Sequence, residues 1–228
     1  MEFSLHKQLK EHYRGHGETE VRWGTFRIDV VNGDQLIEIQ LGSLSAIRRK
    51  IAALLQSPHA LRVVKPLIAQ KQLIKLDRRQ GKLVDRRLSP KRQSALDIVH
   101  DLVYLKQVFP HPNLTIETPL ISVREIRYPG RGRRRRRRPD AYQIQDIELV
   151  ELGPSSLYCD ARDLLGLVPE GIKWPWDTGD LARCLDEPRW IAQRLAYCLR
   201  HAGAIRETGR RGNARVYDRA RYSVRRAG

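Results

Sequence analysis

The sequence predicts a mixed α/β fold, α+β in its details, closed by a small helix-and-hairpin unit at the C-terminus. Three observations predict it. Segments rich in β-branched and aromatic residues alternate with segments whose apolar residues recur at helical spacing. Short turns join the strand-like segments, most clearly Asn32-Gly33-Asp34-Gln35. After Pro175 the pattern changes to two helices and two short strands. The expected organisation is a core over residues 1–152, a linker with a short helix over 153–175, and a separate unit over 176–228.

The elements follow in order. Leu5 to Tyr13 places Leu5 and Leu9 on one side of a helix, which Gly15-His16-Gly17 ends. Val21 to Val31 reads as a strand, and Leu36 to Leu41 as its hairpin partner. Ser43 or Ser45 caps a helix running to Leu55. Leu61 to Leu76 reads as one or two strands around Pro66. Gln93 to Val108 has a helical stripe of Leu96, Val99, Leu102, Val103 and Val108. Leu114 to Tyr128 and Tyr142 to Leu152 are the arms of a long hairpin. Its tip, residues 129–140, carries the arginine block that includes Arg133, Arg134, Arg135 and Arg136, where like charges are too dense to pack.

The formal net charge is +17. So large an imbalance costs stability by self-repulsion, which a polyanionic partner offsets. The arginine tip is not its only source. Basic residues recur at Arg48, Arg49, Lys50, Arg86, Arg87, Lys91 and Arg92, and densely after Arg183. Most are Arg, whose planar fork suits phosphates and guanine edges. No apolar run reaches the ~18 residues of a spanning helix, so no membrane partner is expected. The N-terminus has no signal-peptide pattern. Cys159, Cys184 and Cys198 form neither a zinc pair nor a disulfide framework and read as small buried hydrophobes, with the cytosol, on the nucleoid when DNA-bound, as the expected compartment.

In the C-terminal unit, Asp177 or Thr178 caps a short helix to Leu185, and Pro188 suits the first position of a second helix that Gly203 ends. Ile191, Leu195, Cys198 and Ala202 form its buried stripe, with Arg189, Gln193, Arg194, Tyr197 and Arg200 mostly off it. Two short strands follow, joined by Gly209-Arg210-Arg211-Gly212-Asn213. This is the order of a winged helix-turn-helix. The second helix is narrow enough for a major groove, and its Arg and Gln are residue types that read base edges. Arg210 and Arg211 are expected at the wing tip, against phosphates. Double-stranded DNA is the partner this implies.

The hairpin over Val21 to Leu41 carries the catalytic expectation. With Asn32 to Gln35 as the loop, Asp29 lies opposite Glu38; with a two-residue Asn-Gly turn, Glu38 is its diagonal neighbour on the same face. Glu38 and Gln40 share a face, and Ile37, Ile39 and Leu41 point into the core. Two adjacent carboxylates repel, and a divalent cation resolves the repulsion. Hard oxygen donors suit Mg²⁺, or Mn²⁺ in its place, and such a metal assists phosphodiester hydrolysis.

Asp…Glu-x-Gln at the end of a strand hairpin, with helices on both sides, resembles the PD-(D/E)XK nuclease superfamily. The likeness covers about residues 1–76. Transposon end-cleaving members also couple such a core to a winged helix, so the two-domain likeness covers most of the chain; the whole string also resembles an uncharacterised bacterial family of this layout. The resemblance implies a restriction-endonuclease-like core with Asp29 and Glu38 as metal ligands. Gln40 stands where the superfamily usually has Lys, and Lys50 on the next helix is a source of the missing charge. Glu20 is another candidate ligand, and Glu2 or Glu11 a candidate first-helix acid. Ile28 replaces the motif's proline. His6 and Lys10 share a helix face and are positioned to support the site.

The expected activity is that of a metal-dependent DNA endonuclease, and a homodimer is compatible with it. The alternative is a non-catalytic DNA-binding protein with a decayed core. Single-stranded RNA recognition is less expected, because only 7% of residues are aromatic and the basic segments lack interleaved rings. Duplex binding should weaken steeply between 50 and 200 mM salt, by roughly 10³-fold or more for six or more phosphate contacts. Fluorescence anisotropy across a salt series measures this, and a flat response would exclude phosphate contact.

Overall fold

The computed structural model describes residues 3–130 and 142–220. Arg133, Arg134, Arg135 and Arg136, expected at a basic hairpin tip, lie outside these residues, as does Glu2. The chain is α+β with a mixed sheet, divided into two compact units. One comprises residues 1–42, 59–97 and 116–156; the other comprises 43–58, 98–115 and 157–228. This division differs from the contiguous one expected from the sequence. Two internal segments fold with the C-terminal elements, because contacts distant along the chain outweigh sequence proximity.

The first unit starts with α1 (Ser4–Arg14). Leu5 and Leu9 pack against Val30, Ile37, Ile39, Val64, Ile121 and Val123. Burying each such aliphatic side chain contributes about 1.5–3 kcal/mol, so α1 is fastened to the sheet by its apolar stripe. Three antiparallel strands follow: β1 (Glu18–Trp23), β2 (Phe26–Asn32) and β3 (Gln35–Ile39). The single strand expected over Val21 to Val31 is two, because the chain reverses at Gly24, which has φ +59°. Gly33, with φ +57°, makes the second reversal.

β3 pairs in parallel with β4 (Ala60–Val64). A parallel pair requires a crossover, and the intervening chain contains α2 (Arg48–Leu54). β5 (Leu67–Leu76) is separated from β4 at Pro66 and pairs with β6 (Leu83–Leu88), a strand the sequence reading missed. Every residue of β6 is exposed, so it has no alternating pattern to betray it. The sheet order is β1-β2-β3-β4-β7-β5-β6, with β8 (Tyr142–Tyr158) paired to β7 (Leu114–Pro129). β8 runs through the first six residues of the expected linker.

The N-terminal cap of α1 is tertiary. Phe3 provides no side-chain cap. Asp146 of β8 instead accepts from the Ser4 amide at 2.8 Å and from the Ser4 hydroxyl.

In the second unit, Ser43 caps a 3₁₀ turn over Leu44–Ile47 that leads into α2. Asp101 accepts from the Leu44 amide at 2.7 Å and the Ser43 hydroxyl at 2.9 Å. Asp101 lies on α3 (Val99–Leu102). The long helix expected over Gln93 to Val108 is thus reduced to this turn, flanked by tighter three-residue bonds such as Leu105 N–H to Leu102 O at 2.9 Å. Of the expected stripe, Val99 and Leu102 are buried and Leu96, Val103 and Val108 partly so, while Ile98, Leu105 and Phe109 are buried beside it. Burial alone does not require a continuous helix.

β9 (Trp176–Asp177) leads into α4 (Thr178–Leu185), and α5 (Arg189–Ala202) is followed by β10 (Ile205–Arg211) and β11 (Ala214–Arg219). The three strands form a sheet in the order β10-β11-β9. Asp177 and Asp180 make a capping box at the start of α4. Pro188 is the N-cap of α5 rather than its first helical residue, and Gly203 closes the helix at φ +80°. Trp176 is wholly buried, with the rings of Trp174 and Tyr217 each 5.4 Å away. Only Cys198 of the three cysteines is buried; burial pushes its thiol up to about 12, so it packs as a neutral hydrophobe. Cys159 and Cys184 are exposed, which corrects that part of the expectation.

Burial alone would raise the Asp146 carboxyl, but its Ser4 and Ile147 hydrogen bonds outweigh this and hold it below its ordinary value of 3.8. The Asp146→Ala variant should lose about 1 kcal/mol, as for loss of a helix cap. A depressed pKa stabilises the fold above the unfolded value and loses that contribution as pH falls through the folded one. The difference in urea midpoint between wild type and variant should therefore be full at neutral pH and shrink below 3.8.

Candidate functional site

The acidic corner is built where two strands part. β2 and β3 pair at Asn32–Gln35, Val31–Leu36 and Val30–Ile37. By the same register, the next position sets Asp29 opposite Glu38, the first of the two registers considered above. There the regular ladder stops. The amide of Ile39 donates instead to Asp29 Oδ2 at 2.8 Å, so a side chain supplies the acceptor that a continued strand would have supplied. Asp29 is half-buried, its side chain 16% exposed, and Glu38 is 4% exposed.

Glu20 falls beside Asp29 in the β1–β2 register, but its backbone has φ +60° and that step of the ladder is interrupted. Its carboxylate pairs with Lys10 of α1 and, at 2.6 Å, with Arg27 Nε. Glu20 is thus held by two cations on the flank of the corner. Glu11, also on α1, is exposed and pairs with Arg14 at 2.7 Å. Gln40 follows directly after β3, half-buried, its backbone N–H donating to Val64 O at 2.9 Å. Lys50 lies on α2, within the second unit.

Two basic groups of the first unit lie by the end of β3 and the loop after it. His6 Nε2 of α1 lies 3.1 Å from the Ile39 carbonyl oxygen and 3.5 Å from Asp29 Oδ2. The i, i+4 placement of His6 and Lys10 was the signal in the sequence. Lys65, 7% exposed, donates to the carbonyls of Leu41 at 3.1 Å and Gly42 at 2.6 Å. No sequence pattern announced Lys65, since its partners are backbone carbonyls of the loop after β3. Among the described residues, no group of three His, Cys, Asp or Glu side chains is gathered for a metal ion.

In the second unit, α5 presents an exposed polar face. Arg189, Gln193, Tyr197 and Arg200 line a groove of about 290 Å³ whose other wall is Asn213 and Arg215 of the β10–β11 hairpin. Arg194 does not belong to that groove. Its guanidinium bonds His100 Nδ1 and lies over the Trp190 ring at 5.1 Å. The expected five-residue wing loop is corrected to a tight turn at Gly212-Asn213, with Arg210 and Arg211 inside β10. Arg211 is drawn to Asp177 and Asp180, at 3.0 and 2.8 Å. Its charge is spent largely on the α4 cap rather than displayed at a tip.

These two units make an α+β protein with an acidic corner on a mixed sheet and a basic groove beside a helix. The chain belongs to the family described as Domain of unknown function (DUF8091), whose model matches residues 3–157. That span ends where the last segment of the second unit begins. An uncharacterized protein of Treponema pallidum (strain Nichols) is 29% identical over 178 residues, an alignment covering 74% of this chain and 68% of the relative. No solved structure matches.

The Asp29–Ile39 bond separates charge from hydrogen bonding. Asp29→Ala removes the acceptor and leaves a part-buried amide unpaired, so it should cost about 1–3 kcal/mol. Asp29→Asn keeps an acceptor and should cost less than 1 kcal/mol. Guanidinium unfolding of both variants measures the difference.

Proposed function

We propose that the protein is a metal-dependent DNA endonuclease whose acidic corner hydrolyses phosphodiester bonds and whose C-terminal unit acts as a winged helix that holds the duplex. One observation carries the reading: Asp29 accepts from the Ile39 amide at 2.8 Å where the β2–β3 ladder ends, one register step beyond Val30–Ile37, a step that extends to Glu38, with α1 before and α2 after these strands in the chain. The helix, three-strand meander, helix and parallel strand agree with the nuclease resemblance.

The donor chemistry fits a hard divalent cation. Asp29 and Glu38 supply two carboxylates, and Mg²⁺ typically takes one or two with waters and substrate phosphate completing its shell. Glu20 is engaged by Lys10 and Arg27, so those two are the side chains assigned to the metal. Bound there, Mg²⁺ or Mn²⁺ would supply a polarised phosphate and an acidified water. Asp29 is oriented for that role by the Ile39 amide. Lys65 takes the place of the missing motif lysine as the nearest buried cation along the chain, while Gln40 offers a neutral amide.

For the duplex, the reading draws on α4, α5 and the β10–β11 hairpin in winged-helix order. Arg189, Gln193 and Arg200 provide forked donors and an amide beside a groove. The net charge of +17 supports a polyanionic substrate. No helix among the described residues is long and apolar enough to cross a membrane. The uncharged Gln40 and the engaged Glu20 favour the second reading, a DNA-binding protein with a decayed core.

Supercoiled plasmid incubated with the full chain and Mg²⁺ or Mn²⁺ separates the two. Wild type should nick it, and Asp29→Asn and Glu38→Gln should reduce the rate at least 10²-fold while leaving DNA binding intact. Equal nicking by all three proteins would remove the site assignment, and binding without nicking by wild type would favour the second reading.

A further inference from the structure

One end of the mixed sheet gathers cations that the proposed chemistry leaves unused. β5 and β7 pair in parallel as far as Lys75–Arg127, so these two side chains stand on neighbouring strands and on one face. Both lie against the ring of Tyr142, the first residue of β8. Lys75 Nζ is 5.2 Å from its centroid and the Arg127 guanidinium 4.5 Å. Directly after Leu76 the chain turns into β6, and this turn carries Arg78, Arg79 and Lys82, all exposed.

The turn is built rather than loose. Asp77 Oδ1 accepts from the Lys82 N–H at 2.8 Å, and the Gly81 N–H donates to the Arg78 carbonyl at 3.0 Å. A side chain at Gly81 would meet Asp77 Oδ1 at 1.8 Å, so the position requires glycine. The Gln80 N–H donates to Gln145 Oε1 of β8 at 2.7 Å, and Gln80 is held at φ +56°, a backbone conformation that non-glycine residues seldom adopt. β8 thereby fixes the turn at the same strand end as the Tyr142 ring. A loop that only solvated its charges would need none of these bonds.

Cations placed in this way repel one another, and an anion lying across them offsets the repulsion. Among the described residues, none of Lys75, Arg78, Arg79, Lys82 and Arg127 is ion-paired with a carboxylate, and the Arg127 Nε–H has no acceptor. Asp85, opposite Lys75 on β6, attracts it, and Asp77 is turned to the Lys82 backbone. The edge itself is closed to another strand. β6 has six residues, its pairing is bulged at Lys75–Leu76, and it carries Arg86 and Arg87, so a second copy would set cations against cations. We propose that this end of the sheet holds a DNA backbone by its phosphates, through Lys75, Arg78, Arg79, Lys82 and Arg127 around Tyr142, without reading bases. Arginine forks suit phosphate oxygens, and rigid placement lowers the cost of ordering them. The inference rests on reading DNA as the substrate, and it gives the first unit a hold on the duplex in addition to that of the C-terminal unit.

Fluorescence anisotropy of the full chain with labelled duplexes of two unrelated sequences, in EDTA so that no strand is cut, tests this apart from cleavage. The triple variant Arg78→Gln, Arg79→Gln, Lys82→Gln changes only exposed side chains, and circular dichroism checks that it folds. It should bind both duplexes at least tenfold more weakly at 100 mM salt, and the slope of log affinity against log salt should shrink by roughly 2–3 for three lost phosphate contacts. Lys7→Gln, Arg22→Gln, Lys173→Gln removes the same charge from other exposed positions and should shrink the slope by less than about 1. An unchanged slope in the first variant, or equal losses in both, would overturn the phosphate site and leave the DNA reading standing. Binding of polyglutamate by wild type and not by the first variant, with duplex binding unchanged, would overturn it in favour of an acidic protein partner. No duplex binding by wild type would overturn both this site and the DNA reading.

Discussion

The acidic corner depends on one hydrogen bond, from the Ile39 amide to the Asp29 carboxylate. A β-ladder leaves no room for a chemical group, because each backbone donor already has a backbone acceptor. Where β2 and β3 part, an amide loses its acceptor and a carboxylate takes its place. That exchange keeps the strand end satisfied and anchors Asp29 in one orientation. It also leaves the strand end accessible to α1, from which His6 reaches both Asp29 and the Ile39 carbonyl.

The geometry holds because the core beneath it is close-packed. Leu9 and Val30 are wholly buried, and Leu5, Ile37 and Ile39 nearly so. α1 is held at its start by Asp146 and along its length by this apolar contact. Lys10 and Arg27 neutralise Glu20 beside the corner, which removes one repulsive charge from the neighbourhood of Asp29 and Glu38. A buried carboxylate, Glu117, is treated similarly. It accepts from Tyr13 at 2.7 Å, Ser155 at 2.8 Å and Arg62 at 3.1 Å, and with burial it raises the Tyr13 hydroxyl well above its ordinary range. Glu20 and Glu117 are thus each held by cations.

The second unit uses charge differently. Its core is apolar apart from the buried capping carboxylates Asp101 and Asp177, and its described arginines lie outside. Some are committed to structure, as Arg211 is to Asp177 and Asp180, and Arg194 to His100 and Trp190. Others line the groove beside α5. A count of arginines in the sequence does not separate these two uses, because an ion pair between Arg211 and Asp177 joins residues far apart in the chain.

What the sequence by itself determined is local. Turn chemistry and the period of two place Asp29 and Glu38 on one face of the hairpin in either of two registers, and the fold chose the one that pairs Val31 with Leu36. A cap at Ser43 or Ser45 and another at Asp177 or Thr178, the closing Gly203 and the buried stripe of α5 follow from rules that act within a few residues; the fold uses Ser43 and Asp177. The tertiary structure decided what depends on distant partners. It split Val21 to Val31 at Gly24, reduced the helix over Gln93 to Val108 to one turn bonded through Asp101, and moved Arg211 from a wing tip to an acidic pair. It also brought His6 to Asp29. The physical reason is common to these cases: periodicity records which side chains are buried, whereas the partner that satisfies a charge or a free amide is chosen by chain segments that meet only when folded.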